Sequence, residues 1–333
     1  MGDPSNQNRE VDLVIVGAGP AGLFAAYYGG FRGLRVAVID SLPQPGGQVM
    51  AMYPEKPIYD IAGFPAVRGR DLIDGLVRQA APFEPLYLLG HQATKLHRDD
   101  DKGVLTLATS AGEHVTCRAV ILTAGVGTFA PRELPAGTSY EGRGLMYFVP
   151  RPQDLADQDV IVVGGGDSAV DWALVLADVA RSVTLVHRRA RFRAHEHSVA
   201  QMMASPSIEV LVDHEIVEAS GTHTLESVRV ADKKGNERQL KCQTLVAALG
   251  FIADLGPLAE WGIRLRDRHI LVDTTMATNL PGVFAAGDVT EYQGKVRLIA
   301  VGFGEAATAV NNAMTLINPD ASIFPGHSTD QHC

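Results

Sequence analysis

The sequence predicts an α/β protein built from one strand–turn–helix–strand plan used twice, with the second copy inserted into the first. Three observations predict it. Two apolar runs of strand length each end in a glycine turn, the two turns share one downstream spacing, and a late apolar run reads as a strand returning to the first copy. The chain has 333 residues, enough for about two domains at roughly 100–200 residues each. Its 46% hydrophobic and 20% charged residues are ordinary for a globular protein. The 34 glycines are a surplus, since about 7% is usual, so their positions carry information.

Residues 11–16 (VDLVIV) form the first run, followed by Gly17-Ala18-Gly19-Pro20-Ala21-Gly22, an alanine-rich helical stretch, and a second strand at 35–39 ending in Asp40. In a G-x-G-x-x-G turn the first glycine makes the turn. The second lets the backbone approach a pyrophosphate, and the third lets helix and strand pack closely. The amides of the helix N-terminus then face the phosphates. An acid at the end of the second strand suits a ribose hydroxyl pair. Alone the motif is weak, because tight turns also use glycine. Between strand and helix it predicts a Rossmann-like site at Gly17, Gly19, Pro20, Ala21, Gly22 and Asp40.

The plan recurs at residues 159–163 (DVIVV), which run into Gly164-Gly165-Gly166-Asp167-Ser168-Ala169, a G-x-G-x-x-A variant. A helix to about residue 180 and a strand at 183–186 follow. Asp40 stands 23 residues after Gly17, and the same step from Gly164 reaches His187-Arg188-Arg189. A carboxylate binds a free 2′-hydroxyl and repels a 2′-phosphate, whereas a guanidinium grips phosphate oxygens bidentately. The first unit therefore suits the ribose of FAD, and the second suits NADP. Gly164, Gly166, Asp167, Ser168 and Ala169 are expected along the NADPH pyrophosphate. Arg188 and Arg189 are expected on the 2′-phosphate, with Arg193 as a third contact and His187 nearby. The other reading of Arg188, Arg189, Arg191 and Arg193 is a solvated loop. Two dinucleotide sites in one chain imply hydride transfer between a nicotinamide and a flavin, oriented by the protein.

Between the units, residues 104–108 and 114–122 read as strands around a turn at Ser110-Ala111-Gly112, and residues 99–103 as a solvated hairpin turn. Strands are also expected at 208–212, 227–230 and 244–249, and a late one at 282–288 ends in Gly287-Asp288. Long loops are expected at 41–65 and after Asn318. The chain then leaves the first unit near Gly125 and returns near Gly250. Two domains in three segments follow: 1–125 and 251–333 for the FAD-binding unit, and 126–250 for the NADPH-binding unit. Each is a three-layer ββα sandwich.

Composition excludes several classes. The net charge of −9 argues against nonspecific nucleic-acid binding. No apolar run approaches the roughly 18 residues of a membrane helix, and residues 1–10 lack the apolar core of a secretory signal. Cys117, Cys242 and Cys333 are scattered, with no C-x-x-C and no zinc spacing, which fits a reducing cytoplasm. His195-Glu196-His197 is not H-E-x-x-H, and its alternate spacing suits a metal poorly on a helix. No metal is expected.

The paired fingerprints, Gly46-Gly47-Gln48, the H-R-R-x-x-F-R-A run from His187 to Ala194, and Gly287-Asp288 resemble the thioredoxin reductase architecture. Tyr53-Pro54-Glu55-Lys56, Ala62-Gly63-Phe64-Pro65, Gly302-Phe303-Gly304-Glu305 and Gly326-His327-Ser328-Thr329 narrow the resemblance to the thioredoxin-reductase-like ferredoxin/flavodoxin–NADP reductases of bacteria. The resemblance covers nearly the whole chain. Thioredoxin reductases carry a redox C-x-x-C shortly before the second fingerprint, where this chain has Met146-Tyr147-Phe148-Val149-Pro150. Related disulfide reductases instead place a cysteine in the first glycine turn, where this chain has Ala18 and Ala21. With both routes closed, electrons must leave the flavin directly for an acceptor docked at its edge, which suits a one-electron carrier.

The resemblance implies FAD and NADPH as cofactors, ferredoxin or flavodoxin as partner, and a homodimer. It adds Gln48, Tyr53, Ala93, Phe129, Asp288 and Thr329 to the FAD pocket. It also implies Tyr53 and His327 as the residues stacking on the two faces of the isoalloxazine, with no acid or base required. For Tyr53 the competing reading is a packed aromatic, and for His327 a solvated tail residue. An acidic ferredoxin would need a local basic patch, for which Arg68, Arg70 and Arg78 are candidates. Two other functions fit the same motifs: an NADPH-dependent reductase of small disulfides or quinones, and a dinucleotide-binding redox sensor. If His327 gates the ring face that nicotinamide must reach, deleting the chain from Gly326 should change the rate of NADPH-to-flavin transfer in stopped flow. Unchanged rates would refute the gate.

Overall fold

The computed structural model describes residues 8–125 and 127–326, leaving out the side chains of 8, 128–130 and 251–253. The chain divides into two compact units, Met1–Thr128 with Ala253–Cys333, and Phe129–Ile252.

The first unit is centred on a parallel five-stranded sheet in the order Val283–Ala285, Ala119–Leu122, Leu13–Val16, Val36–Asp40, Leu86–Leu89. Its inner strands, LVIV and AVIL, are buried at every position, as expected of a sheet covered on both faces. Alternation decides which layer each side chain joins. Leu13 and Ile15 pack with Ala25, Ala26, Ala306 and Ala309 from the helices Pro20–Phe31 and Ile299–Ile317. Val14 and Val16 pack on the other face with Leu105, Leu107 and Val115. Those residues belong to a second sheet, ordered Asn8–Glu10, His114–Cys117, Val104–Thr109, Ala93–Asp99. The result is a three-layer ββα sandwich. Each of its fully buried Leu and Ile side chains contributes about 1.5–3 kcal/mol.

The run 114–122 proves to be two strands in two sheets. His114–Cys117 alternates exposed and buried, and pairs antiparallel with Val104–Thr109. Ala119–Leu122 is buried throughout and joins the parallel sheet beside Leu13–Val16. The chain changes layers at Arg118, whose amide donates to the Asp12 carbonyl at 3.1 Å. Residues 41–65, expected as loop, contain the short helix Gly47–Met52. It is held by Val49, buried with Leu23, Leu72 and Ile73.

The second unit repeats the plan. Its parallel sheet runs Leu145–Met146, Thr244–Ala247, Asp159–Val163, Ser182–His187, Ile208–Val212. Val160, Val162 and Val246 face Ala169, Val170 and Leu176 around the helix Asp167–Ala177. Ile161, Val163 and Leu245 face the antiparallel sheet His214–Ser220, Ser227–Asp232, Glu237–Lys241. In both units the strand carrying the glycine turn is the middle one. No helix among the described residues is long and apolar enough to cross a membrane.

Candidate functional site

Both glycine turns sort their glycines by what surrounds them. Gly17 has φ +114°, and a Cβ there would lie 2.4 Å from the Thr123 carbonyl oxygen. A Cβ on Gly22 would lie 1.9 Å from the Gly17 oxygen, so only glycine lets this helix approach its strand. The Thr123 hydroxyl closes the arrangement by donating to that same oxygen at 2.8 Å. Gly19 differs, because an added Cβ meets nothing within 4 Å among the described residues. It is also the N-cap of Pro20–Phe31 and provides no side-chain cap, so the terminal amides are left for an outside acceptor. Asp40 stands where the sequence requires, accepting hydrogen bonds from the Ala18 amide at 2.5 Å and the Leu42 amide at 2.8 Å. Burial pushes its carboxyl up, and the two amides pull against that shift.

The second turn repeats the contrast. A Cβ on Gly164 would lie 2.3 Å from the Ala248 oxygen, whereas one on Gly166 meets nothing within 4 Å. Ala169, at the third motif position, is completely buried. Gly165 carries a signal the motif does not contain: its Cβ would fall 2.1 Å from the His187 ring. That ring is buried, stacks on Phe192 at 5.1 Å, and lies 3.2 Å by Nε2 from the Arg191 carbonyl. Burial lowers its pKa, so it is neutral at neutral pH. His187 therefore packs the turn from inside, while the arginines after it are exposed. Asp167 is likewise committed, accepting the His195 amide at 2.8 Å. The basic segment is stitched to the turn again by the Arg193 amide, which donates to the Gly165 carbonyl at 2.8 Å. Ser168 is exposed in the first helical turn.

Ion pairing separates these arginines from four others in the unit. Arg151, Arg181, Arg229 and Arg238 each pair with a carboxylate in the same unit. Among the described residues, Arg188, Arg189, Arg191 and Arg193 form no ion pair. A cluster of uncompensated guanidiniums beside a glycine turn is built for an external anion. The candidate docking arginines are different. Arg68 pairs with Asp71 at 2.7 Å and Glu55 at 3.6 Å, Arg70 pairs with Glu55 at 2.5 Å, and Arg78 donates to the Asp74 carbonyl. This face therefore presents less free charge than its arginines suggest.

In the first unit Tyr53 ends the helix Gly47–Met52. Burial pushes its phenol up to about 12, with the negative charges of Asp288 and Asp60 adding to the shift. The phenol stays protonated, and Tyr53 and Asp288 are brought within electrostatic reach of one another. Asp288 is half-buried, and burial raises its carboxyl. Among the described residues its carboxylate and its amide have no hydrogen-bond partner. Gln48 lies against Gly125, whose added Cβ would be 3.1 Å from Gln48 Nε2. Ala93 is buried at the start of Ala93–Asp99. Phe129 lies on the strand Thr128–Pro131, with its side chain outside the description. His327, Thr329 and Cys333 lie outside the described residues.

Both described thiols are buried, and burial pushes each up to about 12. Among the described residues no group of three or more His, Cys, Asp and Glu side chains could hold a metal ion. The sequence reading missed Thr123, and it missed a buried ion pair between Lys295 and Glu305 behind the Gly287–Asp288 turn. Charged side chains in a late loop and helix give no signal of burial.

The two glycine turns, each ending the middle strand of a parallel sheet, define the class: a two-unit dinucleotide-binding protein. The model of the pyridine nucleotide-disulphide oxidoreductases matches residues 11–313. The chain is 61% identical over 322 residues, 97% of its length and 99% of the relative's, to a ferredoxin–NADP reductase of Salinispora arenicola. It is 48% identical over 326 residues, 96% and 97% of the two lengths, to a ferredoxin–NADP reductase of Thermus thermophilus. Among solved structures it is similar to the thioredoxin reductase of Lactococcus lactis, with a TM-score of 0.79 and 27% identity over 92% of this chain and 99% of that one. The chain belongs to the pyridine nucleotide-disulphide oxidoreductase family.

Proposed function

We propose that the chain transfers electrons from NADPH through a resident FAD to ferredoxin, a one-electron carrier. The observation that carries this reading is the state of its sulfur. The sequence has no C-x-x-C, and both described thiols are buried and protonated, so among the described residues no dithiol is placed to relay electrons between a flavin and its acceptor. The curated relatives' names supply the acceptor.

The residues fit FAD in the first unit. Gly19 leaves room for a pyrophosphate, and the uncapped amides of the helix beginning at Pro20 face it. Asp40, anchored by two amides, turns its remaining acceptor capacity to the adenosine ribose. Asp288 has a carboxylate and an amide that are unpaired among the described residues and available to a polar chain, and Tyr53 offers a protonated aromatic face. In the second unit Gly166 and Ser168 receive the NADPH pyrophosphate, and Arg188, Arg189 and Arg193 receive the 2′-phosphate. His187 and Asp167 hold those arginines in place from behind. When bound, FAD supplies the chemistry by accepting electrons in a pair and releasing them singly. The protein binds, orients and excludes water, and needs no acid or base.

The purified protein should be yellow, bleach with NADPH without oxygen, and reduce cytochrome c only when ferredoxin or flavodoxin is added. The variant Cys117→Ala/Cys242→Ala should keep that partner-dependent rate within about twofold after allowance for its stability, which small core truncations lower by about 1–2 kcal/mol each. Bleaching with turnover of a small disulfide or quinone alone, or loss of turnover in the cysteine variant, would refute the reading. A protein that binds both dinucleotides and does not bleach is a sensor.

A further inference from the structure

We propose that Glu305 and Lys295 are positioning residues for the flavin site: as a buried ion pair they hold the two peptide groups that flank the Gly287 Cα and thereby aim Asp288. The inference rests on the FAD reading above.

Glu305 lies in the helix Ile299–Ile317 and is 5% exposed, and the Lys295 side chain is 1% exposed. Glu305 Oε2 accepts the Gly287 amide at 2.7 Å. Its Oε1 accepts Lys295 Nζ at 2.6 Å and the Tyr292 hydroxyl at 2.6 Å. Lys295 Nζ also donates to the Gly287 carbonyl at 3.0 Å. The Thr290 hydroxyl and amide reach the same carbonyl at 2.8 and 3.0 Å. Both polar groups of one glycine are thus held by one ion pair.

That glycine sits where three elements converge. Gly287 has φ +84°, and its added Cβ would lie 3.2 Å from the Ala21 Cβ in the first turn of Pro20–Phe31. An added Cβ on Gly302, near the start of Ile299–Ile317, would lie 3.3 Å from the Gly287 Cα. A glycine peptide rotates with little steric resistance, and rotation here would swing the next residue, Asp288. Burying two charges is costly even when they pair, and apolar packing could anchor a turn without them. The charges instead end on the amide and carbonyl of the residue preceding an unpaired carboxylate. That placement is what positioning requires.

The test is a double-mutant cycle on FAD affinity, read by titrating apoprotein and following flavin fluorescence. Lys295→Met/Glu305→Gln removes both charges together, strands neither, and keeps an acceptor for the Gly287 amide. It should weaken FAD by about tenfold, the size expected for losing one charge-assisted hydrogen bond's worth of order. Asp288→Ala should weaken FAD comparably. Because the pair acts through Asp288, combining the changes should cost no more than about twofold beyond Asp288→Ala alone. If the pair variant does not fold, Thr290→Val, which removes one donor to the Gly287 carbonyl and keeps the shape, runs the same cycle with a smaller loss. Multiplying losses, or unchanged affinity in the pair variant, would overturn the proposal and leave the FAD reading standing. A wild-type chain that takes up no FAD would overturn both.

Discussion

Replacing Arg188 and Arg189 together by alanine is expected to raise the KM for NADPH by about a hundredfold and to leave kcat and the KM for NADH nearly unchanged. Two magnitudes decide the size. An exposed ion pair between flexible side chains contributes about 0–1 kcal/mol, which would predict a change of only a few fold. A guanidinium on a phosphate binds by charge-assisted, often bidentate hydrogen bonds worth about 1.5–3 kcal/mol. The second figure applies because the arginines are not loose. The Arg193 amide on Gly165, the His195 amide on Asp167 and the buried His187 ring fix the segment to the glycine turn. Two such contacts at the lower bound give about 3 kcal/mol, or roughly two decades in affinity at 1.4 kcal/mol per decade. Among the described residues these arginines form no ion pair that the change would break, so the melting temperature should not move. Steady-state kinetics with both coenzymes checks it, and equal losses for NADH and NADPH would mean that the arginines act on the fold and not on the 2′-phosphate.

The sequence was most legible where one physical constraint dominates. Strands buried on both faces must be apolar throughout, so LVIV and VIVV stand out as runs. The glycine turns stood out because no other residue fits at Gly17 or Gly22. Legibility failed where the deciding partner is distant in sequence. The run 114–122 is apolar enough to read as one strand, and its split at Arg118 depends on Asp12 in another layer. His187 and Asp167 carry the residue types of ligands, yet their partners are Gly165, Phe192 and the His195 amide. Lys295 and the pairing of Glu305 go unread in the sequence because nothing local marks Gly287 between them. Propensity and pattern report burial along one element, whereas these assignments depend on what packs across elements.

The glycines of the first turn permit a sharper experiment, in which two single-methyl changes three residues apart give opposite results. Gly22→Ala would place a methyl carbon 1.9 Å from the Gly17 oxygen and 2.6 Å from the Thr123 hydroxyl. Neither neighbour is the far end of a flexible side chain, so the helix must move off the central strand. A cost of about 3 kcal/mol, the upper end of the usual overpacking range, would lower the melting temperature of the apoprotein by roughly 6–12 °C at 2–4 °C per kcal/mol. Gly19→Ala would meet nothing within 4 Å, at φ −71° and ψ −178°, which any L residue adopts. Its apoprotein should therefore melt within a few degrees of wild type. Yet its methyl would stand on the open side of the turn, where a pyrophosphate must approach the backbone. At about 1–3 kcal/mol for a methyl forced into a close-packed contact, FAD should bind roughly tenfold to a hundredfold more weakly. Circular dichroism melts of the apoproteins, set beside FAD titrations, separate the two outcomes. Normal FAD binding by Gly19→Ala would show that the ligand lies elsewhere. If both variants lost stability equally, the open side of the turn would be a packing surface, and the division between the glycine that shapes the turn and the glycine that admits the ligand would fail.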